Sequence, residues 1–482
     1  TFGQLTGTKQ IPGDYASLDA AITDLNTQGV GPGGVTIELL AGNPETAPAG
    51  GYVITASGNP NSPILIKGNT NTITSSNTLT AGALNDAIFK IIGGDYITID
   101  GFVMQEDPAN TTTTASSNNM TEFGVALFYN TPTDGPQHCT IKNNTIILGD
   151  NYQNAFGIYA NSRHNATSMT TTNDITDIAG AFNNLIIQNN TISNVNLGIV
   201  LVGSTNANYM AQNIIVSYND ITFGRTGTFS SYVSVSGSVN GIYINNTLNV
   251  NVNDNTITCN GTNTAGTLRG IYHHATGTIP TTGNFLNSYL NNTITLTNGT
   301  TTSTYGIDIN NLNAQFTTNV NNNTINNLNA TGATTAVAYG IYQESASLNE
   351  YFNNNTFNLT PTTTGNVAAI YASNTIPTSG TVTANNNQIS ISKTNAGGIV
   401  YGYYSNASSP SGVVKTFDSN IFHDITLTGA TTFYGFYEND GGAPTKTFSN
   451  NTFQNITGGT SDITAIYVAY GIHHIYSNII QN

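Results

Sequence analysis

The sequence predicts an all-β solenoid, in which short strands stack turn upon turn. Three observations support this fold class. A motif of two asparagines recurs along most of the 482 residues, apolar residues hold fixed positions around it, and helical periodicity is absent from the repeating part. Counting the early strands as well, we expect about 12 to 14 turns in one continuous domain.

The composition excludes several classes of protein. The chain has only 10 Lys and Arg residues against 25 Asp and Glu, which gives a formal net charge of −15. Nucleic-acid binding needs a basic surface, and the few basic residues of this chain do not supply one. The chain also contains no run of about 18 apolar residues, the length needed to span a membrane. Hydrophobic residues still make up 38% of the chain, with 25 Tyr and 19 Phe, which is enough to fill a core.

The asparagine motif repeats roughly every 33 residues. It reads Asn143-Asn144-Thr145-Ile146 in its first full copy, and weaker copies include Asn219-Asp220. Stacked turns would place the second Asn of each copy above the next, with the side-chain amides hydrogen-bonded along the column. The predicted ladder contains Asn144, Asn190, Asn255, Asn292, Asn323, Asn355, Asn387, Asn420, Asn451 and Asn478.

Apolar residues stand three positions before and two positions after each ladder Asn, as Ile141 and Ile146 do around Asn144. Positions five apart fall on opposite faces of a straight strand. Both can face one core only if the chain bends between them, and Asn tolerates the left-handed conformation that such a bend needs. The motif therefore predicts a strand, a corner and a second strand.

A second motif, Gly-Ile-Tyr, lies between the corners, with Gly471-Ile472-His473 as its last variant. We expect the residue before the Gly to share the core face with the Ile, and the residue two after the Gly to face outward. The outward column forms a candidate stripe of Tyr159, Tyr243, Tyr272, Tyr342, Tyr371, Tyr404 and Tyr437. Two interpretations stay open: the rings bind sugars or a neighbouring molecule, or they stack on each other to stabilise the sheet.

Residues 1–130 differ from the regular repeats of residues 131–482. Asp14–Asn26 is the best helix candidate, with Leu18, Ala21, Ile22 and Leu25 on one face, and the helix would cap the first turn. Strands are predicted to follow at Val35–Leu40, Ile64–Lys67, Phe89–Ile92 and Tyr96–Ile99.

With these features the sequence resembles the right-handed parallel β-helix proteins of the pectate-lyase-like superfamily. The resemblance rests on the Asn corners, the Gly-Ile-Tyr strands, the opening Asp14–Ile22 and the strand Gly94–Phe102. It covers essentially the whole chain and implies a single right-handed parallel β-helix. In style the chain is similar to large secreted surface proteins of the Bacteroidota. The fold hosts lyases, hydrolases, adhesins and tailspikes, so it does not decide function.

No catalytic site is predicted. The basic residues are expected to be isolated from one another. The candidate carboxylate pairs are Glu106/Asp107, Asp174/Asp177 and Glu344/Glu350, and no other polar residues of a catalytic type accompany them in the sequence. A weak polar cluster, expected to be an ordinary surface feature, combines Arg269, His273, His274 and Asp308, with His473-His474 as its equivalent in the last turn. Because His273 and His274 point to opposite faces of a strand, they make a poor metal site. No cofactor and no metal are expected.

The sequence therefore favours a secreted structural or adhesive β-solenoid, extracellular or on the cell surface. It would serve as a stalk or as a subunit of a fibre, assembling end to end through the open edge of its last turn at Asn482, or laterally. The alternative is a protein that binds or degrades a neutral polysaccharide. Copies of the chain and polysaccharide are the expected partners, and nucleic acid is not.

Overall fold

The computed structural model describes residues 3–224, 232–235, 239–259, 266–297, 303–310, 313–329 and 336–481. The chain is an all-β parallel solenoid of the right-handed type with about 12 turns, which confirms the predicted fold class. Each regular turn gives one strand to each of three sheets. Sheet A takes the strand before the Asn corner, sheet B the strand after it, and sheet C the Gly-Ile-Tyr strand.

Two compact units can be distinguished. The first comprises the described residues of Thr1–Gly237, Gly241–Val250 and Thr276–Thr278, and the second comprises the described remainder up to residue 481. The predicted division into residues 1–130 and 131–482 of one continuous domain stays a prediction.

The strands of the first unit pair in parallel within each sheet. Sheet A contains Leu5–Ile11, Val30–Leu39, Ile64–Lys67, Ile97–Asp100, Thr140–Lys142, Ile186–Gln188 and Ala211–Ser217. Sheet B contains Glu45–Thr46, Thr72–Thr74, Val103–Gln105, Thr145–Ile147, Thr191–Val195 and Asp220–Phe223. Sheet C contains Tyr52–Ile54, Ala87–Ile92, Phe123–Tyr129, Phe156–Asn165 and Leu197–Val202. Val239–Asn245 of sheet C and Thr247–Asn253 of sheet A contain residues of both units.

The second unit repeats the same arrangement. Sheet A contains Phe285–Leu290, Phe316–Asn321, Asn349–Tyr351, Thr381–Thr383, Val414–Asp418, Thr445–Ser449 and Ile472–Tyr476. Sheet B contains Thr256–Cys259, Thr293–Leu296, Thr324–Asn327, Thr356–Leu359, Gln388–Lys393, Ile421–Leu427, Thr452–Thr457 and Ile479–Ile480. Sheet C contains Leu268–His274, Thr304–Ile309, Ala338–Gln343, Val367–Ala372, Ile399–Ser405, Thr432–Glu438 and Ile463–Val468.

The α-helix spans Leu18–Gln28 and begins four residues later than predicted. It starts there because Ser17 is its N-cap, and the Ser17 side chain accepts a hydrogen bond from the Ala20 N–H. Its four predicted apolar residues are all buried. The helix packs against Leu5–Ile11 and Tyr52–Ile54, the first strands of sheets A and C, as a capping helix should. A short 3₁₀ helix lies at Ile178–Gly180.

The predicted early strands are present, and Ile64–Lys67 has the predicted bounds. The others differ by one to five residues at their ends. Tyr96 lies outside its predicted strand because its backbone is left-handed, with φ of 51°. Among the described residues, no helix is long and apolar enough to cross a membrane.

The corners bring both apolar columns into the core. Ile141 and Ile146 are fully buried, as are Val320 and Ile325 in the second unit. The left-handed residue is the one before each ladder Asn, with φ of 56° at Asn143 and 60° at Asn322. Ser419 and Tyr218 adopt the same conformation at their corners, so this position does not require Asn.

The expectation that the residue before each Gly faces the core is wrong. The ring of Phe156 contacts the ring of Tyr159 at 5.8 Å, and Tyr339 contacts Tyr342 at 5.3 Å, so each pair shares one face. The paired register skips Gly157 between Phe156 and its next partner, which breaks the strand alternation. A Cβ on Gly157 would lie 2.5 Å from the Ile192 side chain, so this close approach requires glycine.

Candidate functional site

The candidate site is built on two regular features, the Asn column and the outer face of sheet C. In the first unit, Asn144 donates from Nδ2 to Oδ1 of Asn190 at 3.1 Å, and Asn190 donates to Oδ1 of Asn219 at 3.0 Å. The backbone N–H of each Asn donates to the same oxygen. Asn219, which the predicted ladder omits, therefore belongs to this column.

The second unit has an Asn column of the same geometry. Its Nδ2 to Oδ1 distances lie between 2.8 and 3.1 Å from Asn255 to Asn478. Each amide is also tied to the backbone: Asn355, for example, donates to the carbonyl oxygen of Val320 at 2.8 Å. The hydrogen-bonding groups of the buried members are thus used within the column and by the adjacent backbone, as is usual for buried polar side chains.

Tyrosines of sheet C in the first unit are buried under additional chain. Tyr159 is 0% and Tyr243 1% exposed, so these two members of the predicted outward stripe lie beneath another part of the chain. The Tyr232 ring packs 5.9 Å from that of Tyr159, and the Tyr243 hydroxyl donates to the carbonyl oxygen of Ser234 at 2.6 Å. Residues 232–235 thus cover this face.

A buried histidine completes the covered face of the first unit. Nε2 of His164 lies 2.6 Å from the Tyr159 hydroxyl, and that hydroxyl also accepts a hydrogen bond from Asn161 at 2.9 Å. Burial lowers the pKa of His164 to about 4. The imidazole is therefore neutral at physiological pH and fixed among aromatic rings.

Two adjacent columns of tyrosine lie on the same outer face in the second unit. One follows the position before the Gly and the other the position two after it. We call the resulting surface the tyrosine face, and it consists of Tyr305, Tyr339, Tyr342, Tyr371, Tyr401, Tyr404, Tyr434, Tyr437 and Tyr467. Most of its rings are half-buried, and Tyr467 is 39% exposed.

The rings of the tyrosine face stack on one another. Tyr404 lies between Tyr371, at 4.4 Å, and Tyr437, at 5.3 Å, with interplanar angles of 26° and 11°. Tyr437 stacks in turn on Tyr467 at 4.7 Å. Because both faces of the middle rings are occupied, the part left exposed is the ring edge. The geometry favours mutual stacking over stacking of these rings on sugars.

The polar cluster lies at one end of the tyrosine columns. Arg269 forms a close ion pair with buried Asp308, and its guanidinium lies 3.9 Å from the centre of the Tyr272 ring. The His274 ring also stacks on the Tyr272 ring, with 4.3 Å between the two ring centres. His273 points away into the interior, where Nδ1 lies 2.5 Å from the Tyr289 hydroxyl.

Glu344 joins this cluster although the sequence placed it in a pair with Glu350. Glu350 instead lies in the interior, bonded to the Ser347 N–H. Burial and the adjacent Asp308 carboxylate raise the pKa of Glu344 to about 8. Burial also raises the pKa of Asp308, against the effect of Arg269. The raised pKa of Glu344 favours its protonated form at neutral pH.

His473 and His474 do not occupy the equivalent place in the last turn, contrary to expectation. His473 pairs with Lys446 in sheet A, whereas Tyr467 of Ile463–Val468 continues the outward column of sheet C. In each of the other two predicted carboxylate pairs, one carboxylate is bound to neighbouring residues. Glu106 accepts hydrogen bonds from Thr121 and Asn110, and Asp174 forms an ion pair with Arg163.

Two of the basic residues are not isolated from each other, which corrects the expectation for this pair. Lys415 and Lys446 occupy paired positions of neighbouring sheet A strands in the second unit. Both contact Glu438, and Lys415 also contacts Asp440, with all four side chains no more than 1% exposed. Within the described residues, no group of three His, Cys, Asp or Glu side chains could hold a metal ion.

Comparison with known proteins gives similarities to solved structures alone. No family model matches the chain, and no curated protein matches it. The A-module of a mannuronan C-5 epimerase from Azotobacter vinelandii is similar at 11% identity and a TM-score of 0.32, covering 96% of this chain and 94% of that one.

Two further solved structures are similar along most of the chain. The surface protein and adhesin PfbA of Streptococcus pneumoniae shares 11% identity at a TM-score of 0.39, covering 94% of this chain and 97% of that one. The tailspike protein of Escherichia coli bacteriophage HK620, solved with a hexasaccharide, shares 12% identity at a TM-score of 0.42, covering 92% and 73%.

Proposed function

We propose that the chain is an extracellular structural or adhesive β-solenoid, and that its adhesive contact is the tyrosine face of the second unit. The observation that carries this proposal is that the tyrosines on the outer face of sheet C differ in their exposure to solvent. Tyr159 and Tyr243 are buried, while Tyr342, Tyr371, Tyr404 and Tyr437 remain half-exposed in one continuous surface. A contiguous, partly apolar surface of this kind is a typical interaction site.

The chemistry of the surface favours an uncharged glycan as its partner. Its exposed ring edges carry hydroxyl groups, which donate and accept hydrogen bonds as sugar hydroxyls do. A net charge of −15 disfavours acidic polymers. Since the ring faces are already stacked, binding would depend on the hydroxyl edges.

A retention experiment tests this proposal. The purified chain is passed over insoluble neutral polysaccharides, and the double variant Tyr404→Phe/Tyr437→Phe is compared with it. We expect at least one polysaccharide to retain the chain and the variant to lose most of that retention. Tyr218→Phe is the matched control, because Tyr218 is 60% exposed and lies outside the tyrosine face. Equal retention of all three proteins would contradict the proposal.

Self-association, end to end or lateral, is the second part of the structural role and needs its own measurement. Light scattering over a wide range of concentrations should show the mass rise above that of one chain, 50.6 kDa. A single monomeric species at the highest concentration would contradict fibre formation.

Hydrolysis of a neutral polysaccharide is a second candidate function, favoured by Glu344. A carboxyl group with a pKa of about 8 is protonated at neutral pH and suits a general acid. Release of reducing ends from a neutral polysaccharide, abolished by Glu344→Gln, would support hydrolysis. If no polysaccharide in the panel is cleaved by the wild-type chain, the adhesive role stands alone.

A further inference from the structure

Lys415, a buried lysine of the second unit, has more polar partners than the single carboxylate of an ordinary ion pair. Nζ of Lys415 lies 2.8 Å from Oδ2 of Asp440, 3.1 Å from Oε1 of Glu438 and 3.2 Å from Oγ of Ser405. The side chains of Lys415, Asp440 and Glu438 are no more than 1% exposed. An amine, a carboxyl group and a second carboxyl group are thus enclosed together, away from water.

The carboxyl group of Asp440 is held from its other side. Its Oδ1 accepts hydrogen bonds from the Ser409 N–H at 2.5 Å and from the Gly442 N–H at 3.3 Å. Two backbone N–H groups aimed at one carboxyl oxygen stabilise negative charge that develops there when the carbon is attacked. They also fix the carboxyl group in front of the Lys415 amine.

Three elements position this group. Lys415 lies on Val414–Asp418 of sheet A, Glu438 ends Thr432–Glu438 of sheet C, and Asp440 follows two residues later. The surroundings are aromatic, with the rings of Tyr403 and Phe417 4.7 Å apart and those of Phe417 and Phe436 5.4 Å apart. Such an interior disfavours two separate charges more than it disfavours one neutral amide.

We propose that Lys415 and Asp440 form an intramolecular isopeptide bond, with Glu438 as the group that relays protons. Glu438 accepts a proton from the Lys415 ammonium and passes it to Oδ2 of Asp440, and the free amine then attacks Cγ of the neutral carboxyl group. The tetrahedral intermediate carries its negative charge on Oδ1, between the two N–H groups. Glu438 transfers a second proton from the attacking nitrogen to Oδ2, which leaves as water while the double bond from Cγ to Oδ1 forms again. An ammonium and a carboxylate become one amide and one water, so no other reactant is needed.

The charge balance of the interior survives this reaction. Two opposite charges disappear together, and Glu438 keeps Lys446 as its partner at 3.4 Å. Fixed juxtaposition replaces an encounter in solution, which is the source of large effective concentrations in buried sites. The resulting bond would join sheet A covalently to the segment that follows sheet C within the second unit.

Mass spectrometry of the intact chain tests the proposal. The chain is folded, incubated and then measured under denaturing conditions, and its mass should fall below the sequence mass by one water molecule. A protease digest should contain one peptide in which Lys415 and Asp440 are linked. A folded chain that keeps its full sequence mass after prolonged incubation, with no linked peptide, would overturn the proposal.

Variants distinguish the chemistry from a failure to fold. Glu438→Gln keeps the size of the side chain and should leave a folded protein at its full mass. Asp440→Asn should react with loss of ammonia in place of water and so reach the same product mass as the wild type. Lys393→Met is the matched control, because Lys393 is equally buried but hydrogen-bonds, within the described part of the chain, to the carbonyl oxygens of Asn395 and Gly397 and to no carboxylate. It should still lose one water, and a wild-type water loss located elsewhere by the digest would contradict the assignment.

Discussion

The two units carry the same strand pattern but use the outer face of sheet C differently. In the first unit, residues 232–235 lie over Tyr159 and Tyr243, and the tyrosine hydroxyls bond to His164, Asn161 and the backbone of Ser234. In the second unit the tyrosines stack on each other and remain half-exposed. One repeated motif therefore supplies a buried layer in one unit and a candidate contact surface in the other.

The ladder is common to both units, so it sets the baseline of this comparison. Asn190→Leu in the first unit and Asn355→Leu in the second should each lower the free energy of unfolding by about 3 kcal/mol or more, because buried donors and acceptors of adjacent Asn residues lose their partners. Urea denaturation measures the effect. Asn358→Leu, at an exposed position, is the control and should change stability by less than about 0.5 kcal/mol. Clearly unequal losses in the two ladder variants would break the baseline.

The covered face of the first unit should respond to acid. The pKa of His164 is about 4 in the folded chain, below its usual value of 6.5, so the unfolded chain binds more protons between these pH values. Stability should therefore fall as the pH drops from about 6.5 to about 4. The loss should be smaller in His164→Asn, which cannot be protonated. Parallel pH profiles of the wild type and this variant would show that His164 is not responsible.

Removing a tyrosine hydroxyl separates the two faces directly. Tyr159→Phe should cost about 1–3 kcal/mol, because His164 and Asn161 lose a buried partner. Tyr404→Phe should change stability by less than about 0.5 kcal/mol, since its ring stacking persists. Thermal unfolding of both variants measures the difference, and equal effects would mean that the faces are equally buried.

The smallest expected effect concerns Glu344, at the end of the tyrosine face. Its pKa is raised to about 8 from 4.5, so the folded chain binds more protons than the unfolded chain within this window. Stability should decline as the pH rises from about 4.5 to about 8, and solvent around the partly exposed carboxyl group will keep the decline modest. Glu344→Gln should flatten that decline. A steeper decline in the variant would contradict the raised pKa of Glu344.

Local repetition explains how much of this architecture the sequence could predict. The Asn corners and the capping helix follow from short patterns, because corner geometry and helix burial depend on neighbouring residues. Asn219 was recognised within the weak copy Asn219-Asp220 but was left out of the ladder, since Tyr218 stands where most copies have their first Asn. The outer position of Tyr339 was missed because the strand alternation breaks at glycine, which a regular pattern does not reveal.

Long-range contacts were beyond prediction from the motif. Residues 232–235 belong to no repeat, so nothing in the Gly-Ile-Tyr pattern indicated that they cover Tyr159. The buried group of Lys415, Glu438 and Asp440 depends on the register between strands of different sheets. A single sequence does not supply that register. The charged residues of this group are separated along the sequence, so they were interpreted as solvent-exposed.

Chemical modification of tyrosines in the native chain tests the comparison most directly. Mild nitration followed by peptide mass spectrometry reports which rings are accessible. We predict modification of Tyr404, Tyr437 and Tyr467, and protection of Tyr159, Tyr232 and Tyr243 until the chain is unfolded. Modification of Tyr159 and Tyr243 in the native chain at the rate of Tyr437 would contradict the account.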